Sequence, residues 1–312
     1  LAYSIQSFLC NAGSLVGFLF PFIFTWIGIS NIAPQGVVPD SVIYSFYIGA
    51  AILILCVIYT TVKVKEMPPA EYAEYHGITE EEKKEKINMV KLLVKAPKAF
   101  WTVGLVQFFC WFAFMFMWTY TNGSVAANVF DAPTVETVVN GANKVVLDTK
   151  SIQYQNAADW VGVLFAVQAI GSVLWAVCIP MFKNRKLIYS LSLVLGGIGF
   201  ISTYFVHNQY VLFISFLLIG CAWAAMLALP FTILTNALSG GHMGTYLGLF
   251  NGTICIPQIV AATLGGSILA LFTPKGMLPP EINMLVMAGV MLIIGAVCVY
   301  LIKETKGEQA KA

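Results

Sequence analysis

Eight hydrophobic stretches fill most of this 312-residue chain, and each is long enough to cross a lipid bilayer. A helical crossing takes about 20 apolar residues, and lipid accepts only structures that satisfy their backbone hydrogen bonds internally. None of the stretches carries a charge in its interior or alternates apolar and polar residues like a barrel strand. We predict an all-α polytopic membrane protein with spans at 3–29, 41–62, 99–121, 159–182, 187–206, 210–237, 245–272 and 282–302.

The composition excludes several other classes. Hydrophobic residues make up 59% of the chain and charged residues 10%, against about 25% charged in soluble domains. The seven cysteines fall inside the spans without metal-ligand spacing, so no metal is expected. No phosphate-binding loop, nucleotide fingerprint or catalytic triad pattern occurs. We therefore expect no enzymatic activity, no cofactor and no nucleic-acid partner.

The basic residues predict the orientation. Fourteen of the 17 Lys and Arg residues lie at 63–98, 183–186 and 303–311, on one face if the spans are drawn in order. Only Lys144, Lys150 and Lys275 fall on the opposite face. Because cytoplasmic loops carry the basic excess, this distribution predicts a cytoplasmic C-terminus and a multi-pass protein of the cytoplasmic (inner) membrane.

Two spans, a charged segment and six further spans resemble the later part of a twelve-helix transporter. On this interpretation residues 1–64 are the last two helices of an N-terminal six-helix bundle, 65–98 the central cytoplasmic linker, and 99–312 the C-terminal bundle with its tail. The first four helices would then be absent, although a native eight-helix protein is an alternative. Thr79 and Glu82 form a capping box that predicts a surface helix over 79–94.

Five sequence segments resemble one transporter family. They are HMGTYLGLFNGTICIPQIVAATLGG (242–266), FFCWFAFMFMWTYT (108–121), ALPFTILTNAL (228–238), QNAADWVGVLFA (155–166) and SIQSFLCNAGSLVG (4–17). In order, they are similar to helices 11, 7, 10, 8 and 5 of the sucrose/maltose:proton symporters, in the glycoside–pentoside–hexuronide:cation branch of the major facilitator superfamily. The resemblance implies a partial major facilitator fold equivalent to helices 5–12.

The resemblance also implies a function. It is import of a disaccharide or related glycoside with protons, by alternating access, in a monomer whose partners are the sugar, protons and lipid. The alternatives are a carrier for another neutral solute and a sugar sensor without transport. No Asp, Glu or His was found inside a span to couple protons, and the family's expected coupling pair would lie before Leu1.

The span at 245–272 carries both candidate packing and candidate binding residues. Gly244, Gly248 and Gly252 form a small-residue ridge for close helix approach, and Pro257 predicts a kink. Asn251 and Gln258 share a face as a candidate lining for sugar hydroxyls, or bond to neighbouring helices instead. On the first span, Gly13 and Gly17 indicate close packing.

Two further spans carry amides and indoles at helical spacing. Gln107, Trp111 and Trp118 lie along one face of 99–121, where an amide donates and accepts to hydroxyls and an indole packs on a sugar ring. An aromatic packing stripe, with Trp118 in an interfacial belt, is the alternative. Gln168 lies near mid-membrane depth, where its amide must face the bundle interior or a water-filled cavity.

Overall fold

The computed structural model describes residues 2–29, 38–75, 89–139, 142–238 and 243–302. Eleven helices and one β-hairpin occur in these residues. They are α1 (Ala2–Trp26), α2 (Asp40–Lys63), α3 (Pro69–Tyr75), α4 (Met89–Val94), α5 (Lys98–Asn128), β1 (Thr134–Val139), β2 (Ala142–Leu147), α6 (Ile152–Cys178), α7 (Arg185–Ser202), α8 (Leu212–Ala237), α9 (Met243–Phe250), α10 (Gly252–Phe272) and α11 (Ile282–Cys298). Two 3₁₀ turns, Ile179–Met181 and Val299–Leu301, extend α6 and α11.

Seven helical segments of the described chain are long and apolar enough to cross a membrane. They are Asp40–Lys63, Lys98–Asn128, Ile152–Met181, Arg185–Ser202, Leu212–Ala237, Met243–Phe272 and Ile282–Leu301, and α1 adds a shorter apolar stretch at Ile5–Phe20. The predicted all-α polytopic class is confirmed. Helix starts follow local chemistry, since the Ser151 hydroxyl and the Asn184 side-chain oxygen accept from backbone N–H groups of the first turns of α6 and α7.

The segment 122–158, between the predicted spans 99–121 and 159–182, is largely ordered secondary structure. α5 continues to Asn128, and α6 already begins at Ile152. Between them β1 and β2 pair antiparallel, from Thr134 opposite Leu147 to Val139 opposite Ala142. The sequence signal was present, because β-branched runs flank an Asn-Gly dipeptide typical of hairpin turns. We call this end of the bundle the hairpin end, and the opposite end, where α5 starts at Lys98, the linker end.

The core lies among α5, α6, α7, α8 and α11. Glycine allows two close helix crossings, because a Cβ on Gly220 of α8 would overlap the Gln168 carbonyl oxygen of α6, and one on Gly197 of α7 would lie 2.9 Å from the Gly289 carbonyl oxygen of α11. α1 packs against α6 and α8. Ser41 is the only side chain of α2 that is buried in the described structure, so the apolar surface of α2 is left for lipid or other helices.

The predicted span 245–272 is divided in two. α9 ends at Phe250, Asn251 forms a turn, and α10 begins at Gly252, within the segment Met243–Phe272. The kink predicted at Pro257 stays a prediction. The Asn251 N–H is shared between the carbonyls of Leu247 and Gly248, and the Thr253 hydroxyl bonds to the Phe250 carbonyl. These local bonds replace part of the regular ladder, whereas Pro257 is accommodated inside α10.

Two predictions remain open at this level. The division into 1–64, 65–98 and 99–312 stays a prediction. Of the predicted surface helix, Thr79 and Glu82 lie outside the described residues, and Met89–Val94 is helical.

Candidate substrate site in the helix bundle

Two turns of α8, residues 220–226, are the point where polar and aromatic groups of three other helices meet. We call this stretch the α8 centre. The Ser7 hydroxyl of α1 donates to the Ala224 carbonyl at 3.3 Å, and the Gln107 amide of α5 donates to the Met226 carbonyl at 3.4 Å. At Gly220, which has no side chain, the backbone of α6 approaches α8 closely. The α8 centre lies about 12–21 Å along the helix from Leu212, which places it near mid-depth of the bundle.

Gln107 is fully buried but weakly held. Its exposed fraction is 0%, and its partners are the Met226 carbonyl and the Tyr189 hydroxyl of α7, which donates to the amide oxygen at 3.4 Å. Both distances exceed the usual 2.7–3.2 Å range for N–H donors and about 2.8 Å for hydroxyl donors. A ligand that forms shorter hydrogen bonds with the Gln107 amide can therefore replace Met226 and Tyr189 as its partners.

Trp111 lies one turn further along α5 and has an unused donor. Its side chain is 8% exposed, and its indole Nε1 is buried without a hydrogen-bond partner in the described structure. Leaving a buried donor unpaired costs about 1–3 kcal/mol. Asn11 of α1 has an unused acceptor instead of an unused donor. Its Nδ2 donates to the Ser7 carbonyl, while its buried Oδ1 has no partner among the described residues.

Trp111 belongs to a group of four aromatic side chains that we call the indole cluster: Trp111, Phe114, Trp118 and Trp223. Trp223 of the α8 centre lies 5.7 Å edge-on from both Trp111 and Trp118, and 4.8 Å from Phe114. Trp118 is 43% exposed, so the cluster runs from the buried interior to an accessible ring. Sequence reasoning missed Trp223 and Tyr189, because no local spacing connects α5 to α7 or α8.

Two polar side chains of α6, Ser172 and Trp175, are well paired, unlike Gln107 and Trp111 of α5. The Ser172 hydroxyl donates to the Gly220 carbonyl at 2.8 Å, and the Trp175 indole donates to the Ser192 hydroxyl at 2.8 Å. These contacts join α6 to α8 and α7. Gln168 is buried, and its side-chain amide makes no hydrogen bond to any described residue. Of the α6 residues, Gln168 therefore stays a candidate for lining a substrate path.

The structure does not bring Asn251 or Gln258 to the indole cluster. Asn251 is exposed, Gln258 is half-buried, and neither side chain has a hydrogen-bond partner in the described chain. The face of α10 that packs against α5 carries the buried residues Pro257, Ala261 and Gly265. A substrate-lining role for the two amides stays a prediction.

The predicted packing glycines have no neighbours in the described residues. Apart from the backbone of its own helix, no described atom lies within 4 Å of a Cβ placed on Gly13, Gly17, Gly244 or Gly248. A Cβ on Gly252 meets only Ile256 of its own helix. The small-residue ridge of α9 therefore faces no helix of the described structure, and its packing role stays a prediction. The close crossings use Gly171, Gly197, Gly220 and Gly289 instead.

One carboxylate was overlooked in the sequence. Glu281 immediately precedes the span Ile282–Leu301 and lies at the hairpin end against Gly123 of α5. Burial raises the pKa of Glu281 from 4.5 to about 7, since desolvation disfavours the charged form. A search for charges within spans misses this residue because it stands one position outside its span.

A comparison with known families agrees with this helical architecture. The sequence profile described as Major Facilitator Superfamily matches residues 132–312, more than half of the chain. The chain belongs to the major facilitator superfamily. No curated protein matches it. The major facilitator superfamily is made up of transporters, which are not enzymes, so this protein is a multi-pass membrane transporter. α6 to α11 lie within the matched region, whereas α5, with Gln107, Trp111 and Trp118, precedes it.

Proposed function

We propose that this major facilitator carries a disaccharide or related glycoside together with protons, by alternating access of two helix bundles around a mid-depth site. The observation that supports the proposal is the contrast in hydrogen bonding between Gln107 and Trp111 of α5 and Ser172 and Trp175 of α6. The Gln107 amide has only long hydrogen bonds, and the Trp111 indole N–H has no partner among the described residues. Both lie beside aromatic rings in edge-on or tilted contact. Ser172 and Trp175 are bonded at 2.8 Å.

A sugar matches these groups chemically. Its hydroxyls donate and accept, as the Gln107 amide and the Trp111 indole require, and its C–H face packs on flat aromatic rings such as the indoles of the cluster. Of the candidates proposed to line the path, Gln107, Trp111, Trp118 and Gln168 lie on the helices that meet at the α8 centre or pack against it. Asn251, in the turn between α9 and α10, and Gln258, on α10, remain secondary candidates. The resemblance of 242–266 to a sugar symporter helix supports the same substrate class.

We also propose that the linker end faces the cytoplasm in the cytoplasmic membrane. The supporting observation is the excess of basic residues at 63–98, 183–186 and 303–311. In this orientation the hairpin and Glu281 face the opposite compartment. The partners are then the sugar, protons and lipid, and the working unit is a monomer.

The first experiment measures transport by the intact protein reconstituted in liposomes with a pH-sensitive dye. Maltose, sucrose and a non-glycoside solute are added in turn. Proton movement induced by one sugar is expected. Radiolabelled sugar that crosses without a proton signal would indicate a uniporter or another coupling ion, and no movement of any sugar would refute the sugar proposal.

A matched pair of variants tests the site. Gln107→Leu should abolish or strongly reduce sugar uptake. The Tyr189 hydroxyl loses its amide acceptor, so the free energy of unfolding should fall by about 1–3 kcal/mol while the protein stays folded. Gln155→Leu makes the same change at an exposed residue of the hairpin end and should leave uptake unchanged. Equal uptake by both variants would return Gln107 to a packing role.

A further inference from the structure

Glu281 lies in a gap that only glycine leaves open. A Cβ built on Gly123 would overlap the Glu281 carboxylate, so the carboxylate is seated directly on the backbone of α5. Tyr120, one turn earlier on α5, interacts electrostatically with Glu281, and its hydroxyl lies 2.6 Å from the Cβ position of Gly265 on α10. The carboxylate therefore lies at the hairpin end, where α5, α10 and α11 meet.

No opposite charge compensates Glu281 in the described structure. Along α10 and α11 the sequence has no Asp, Glu, Lys, Arg or His, and Cys255 and Cys298 lie toward the linker end. Lys275, in the turn between the two helices, makes no ion pair with the carboxylate, and desolvation alone accounts for its raised pKa. From α5, Tyr120 is the titratable neighbour, and it carries no positive charge that would stabilise an ionised carboxylate.

We infer that Glu281 is a proton-binding site seated on Gly123, whose protonation state sets how tightly the hairpin ends of α5 and α11 pack. The carboxylate takes up one proton from the aqueous side and becomes a neutral acid, which fits the desolvated gap. When the proton leaves, the charged group draws water into the α5–α11 contact. This site deepens the proposed proton coupling and rests on it for its role in transport, whereas proton binding itself is measurable without any sugar.

Infrared difference spectroscopy on the intact protein in liposomes tests the inference. The C=O stretching band of a protonated carboxylic acid is followed while the pH is raised from about 4 to about 9. Wild type should show a band that disappears with a midpoint near pH 7. Glu281→Gln should lack this component, whereas Glu136→Gln, which removes an exposed carboxylate of β1, should retain it.

Gly123→Ala provides an independent variant if Glu281→Gln does not fold. Its methyl group should displace the carboxylate into water and move the band midpoint toward 4.5. Hydrogen exchange in 120–128 and 279–285, corrected for the chemical pH dependence, should rise between about pH 6 and about pH 8 in wild type. It should not rise in Glu281→Gln.

The outcomes separate this inference from the proposed function. A band near neutral pH that persists in Glu281→Gln, or its absence from wild type, would overturn the proton site. An unchanged exchange rate in wild type would overturn the packing role. If the band behaves as expected while no sugar moves, the proton site stands and the sugar proposal fails.

Discussion

Replacing Trp111 by Phe tests the unpaired indole donor directly. The substitution keeps an aromatic ring against Trp223 and removes the buried Nε1, which has no hydrogen-bond partner among the described residues. If that N–H donates to a sugar hydroxyl, its loss costs about 0.5–1.5 kcal/mol of binding free energy. At about 1.4 kcal/mol per factor of ten, the dissociation constant should rise about two- to tenfold.

Trp175→Phe is the matched control, because it deletes the same N–H from an indole that already has a partner. Trp175 donates to the Ser192 hydroxyl at 2.8 Å, and Ser192 itself donates to the Ile188 carbonyl, so no polar group is orphaned. The loss should appear as about 0.6 kcal/mol of stability, with sugar affinity unchanged.

The assay is equilibrium binding of radiolabelled maltose and sucrose to the purified intact protein, alongside thermal unfolding of each variant. Trp111→Phe should weaken binding of the transported sugar while remaining folded. Unchanged affinity in Trp111→Phe, or equal weakening in Trp175→Phe, would refute the assignment of the unpaired donor to the substrate.

Two further predictions concern stability. Gly220→Ala should destabilise the protein by about 1–3 kcal/mol in thermal unfolding, because the new methyl group overlaps the rigid backbone of α6. Gly248→Ala, which has open space around it, should be neutral or slightly stabilising. Equal melting temperatures of the two variants would contradict the close crossing. The unfolding free energy should fall by at most about 3 kcal/mol as the pH rises from 4.5 to about 7, because in this window the folded state retains a proton on Glu281 that the unfolded state releases. Above this range the dependence should level off. Denaturant titrations across the pH range measure the slope, and a slope that persists in Glu281→Gln would assign it to another group.

The positions of the spans were predictable because hydropathy along the chain reports directly on compatibility with lipid. Length and apolar content suffice for that inference, and the packing partners of each helix do not enter it. The hairpin of β1 and β2 was not predicted, although the dipeptide Asn140-Gly141 stands between two β-branched runs, because the prediction rested on hydropathy, which identifies only the spans. The turn at Asn251 was not predicted, and the kink predicted at Pro257 stays a prediction.

The site was predictable only in part, because hydrophobic residues cover all sides of α5 equally. This helix is apolar on all sides, so its sequence indicates which residues share a face but not which face meets another helix. Gln107 and Trp111 were therefore identified by their spacing, whereas Tyr189, 82 positions away, and Trp223 emerge only from the packing of α7 and α8. The contact between Gly123 and Glu281 likewise joins two residues that no local pattern connects.

The proposed proton site at Glu281 and the indole cluster both contact one helix, α5. Gly123 follows Trp111 by twelve positions on α5, about 18 Å along one continuous helix. If protonation of Glu281 changes how the hairpin end of α5 packs, it changes the position of the indole cluster attached to the same helix. Such a coupling must be reciprocal: the factor by which a proton on Glu281 alters sugar affinity equals the factor by which bound sugar alters proton affinity. Sugar binding by a protein with this arrangement should therefore shift the midpoint of the Glu281 band, and a midpoint that is independent of saturating sugar would mean that the two sites act separately.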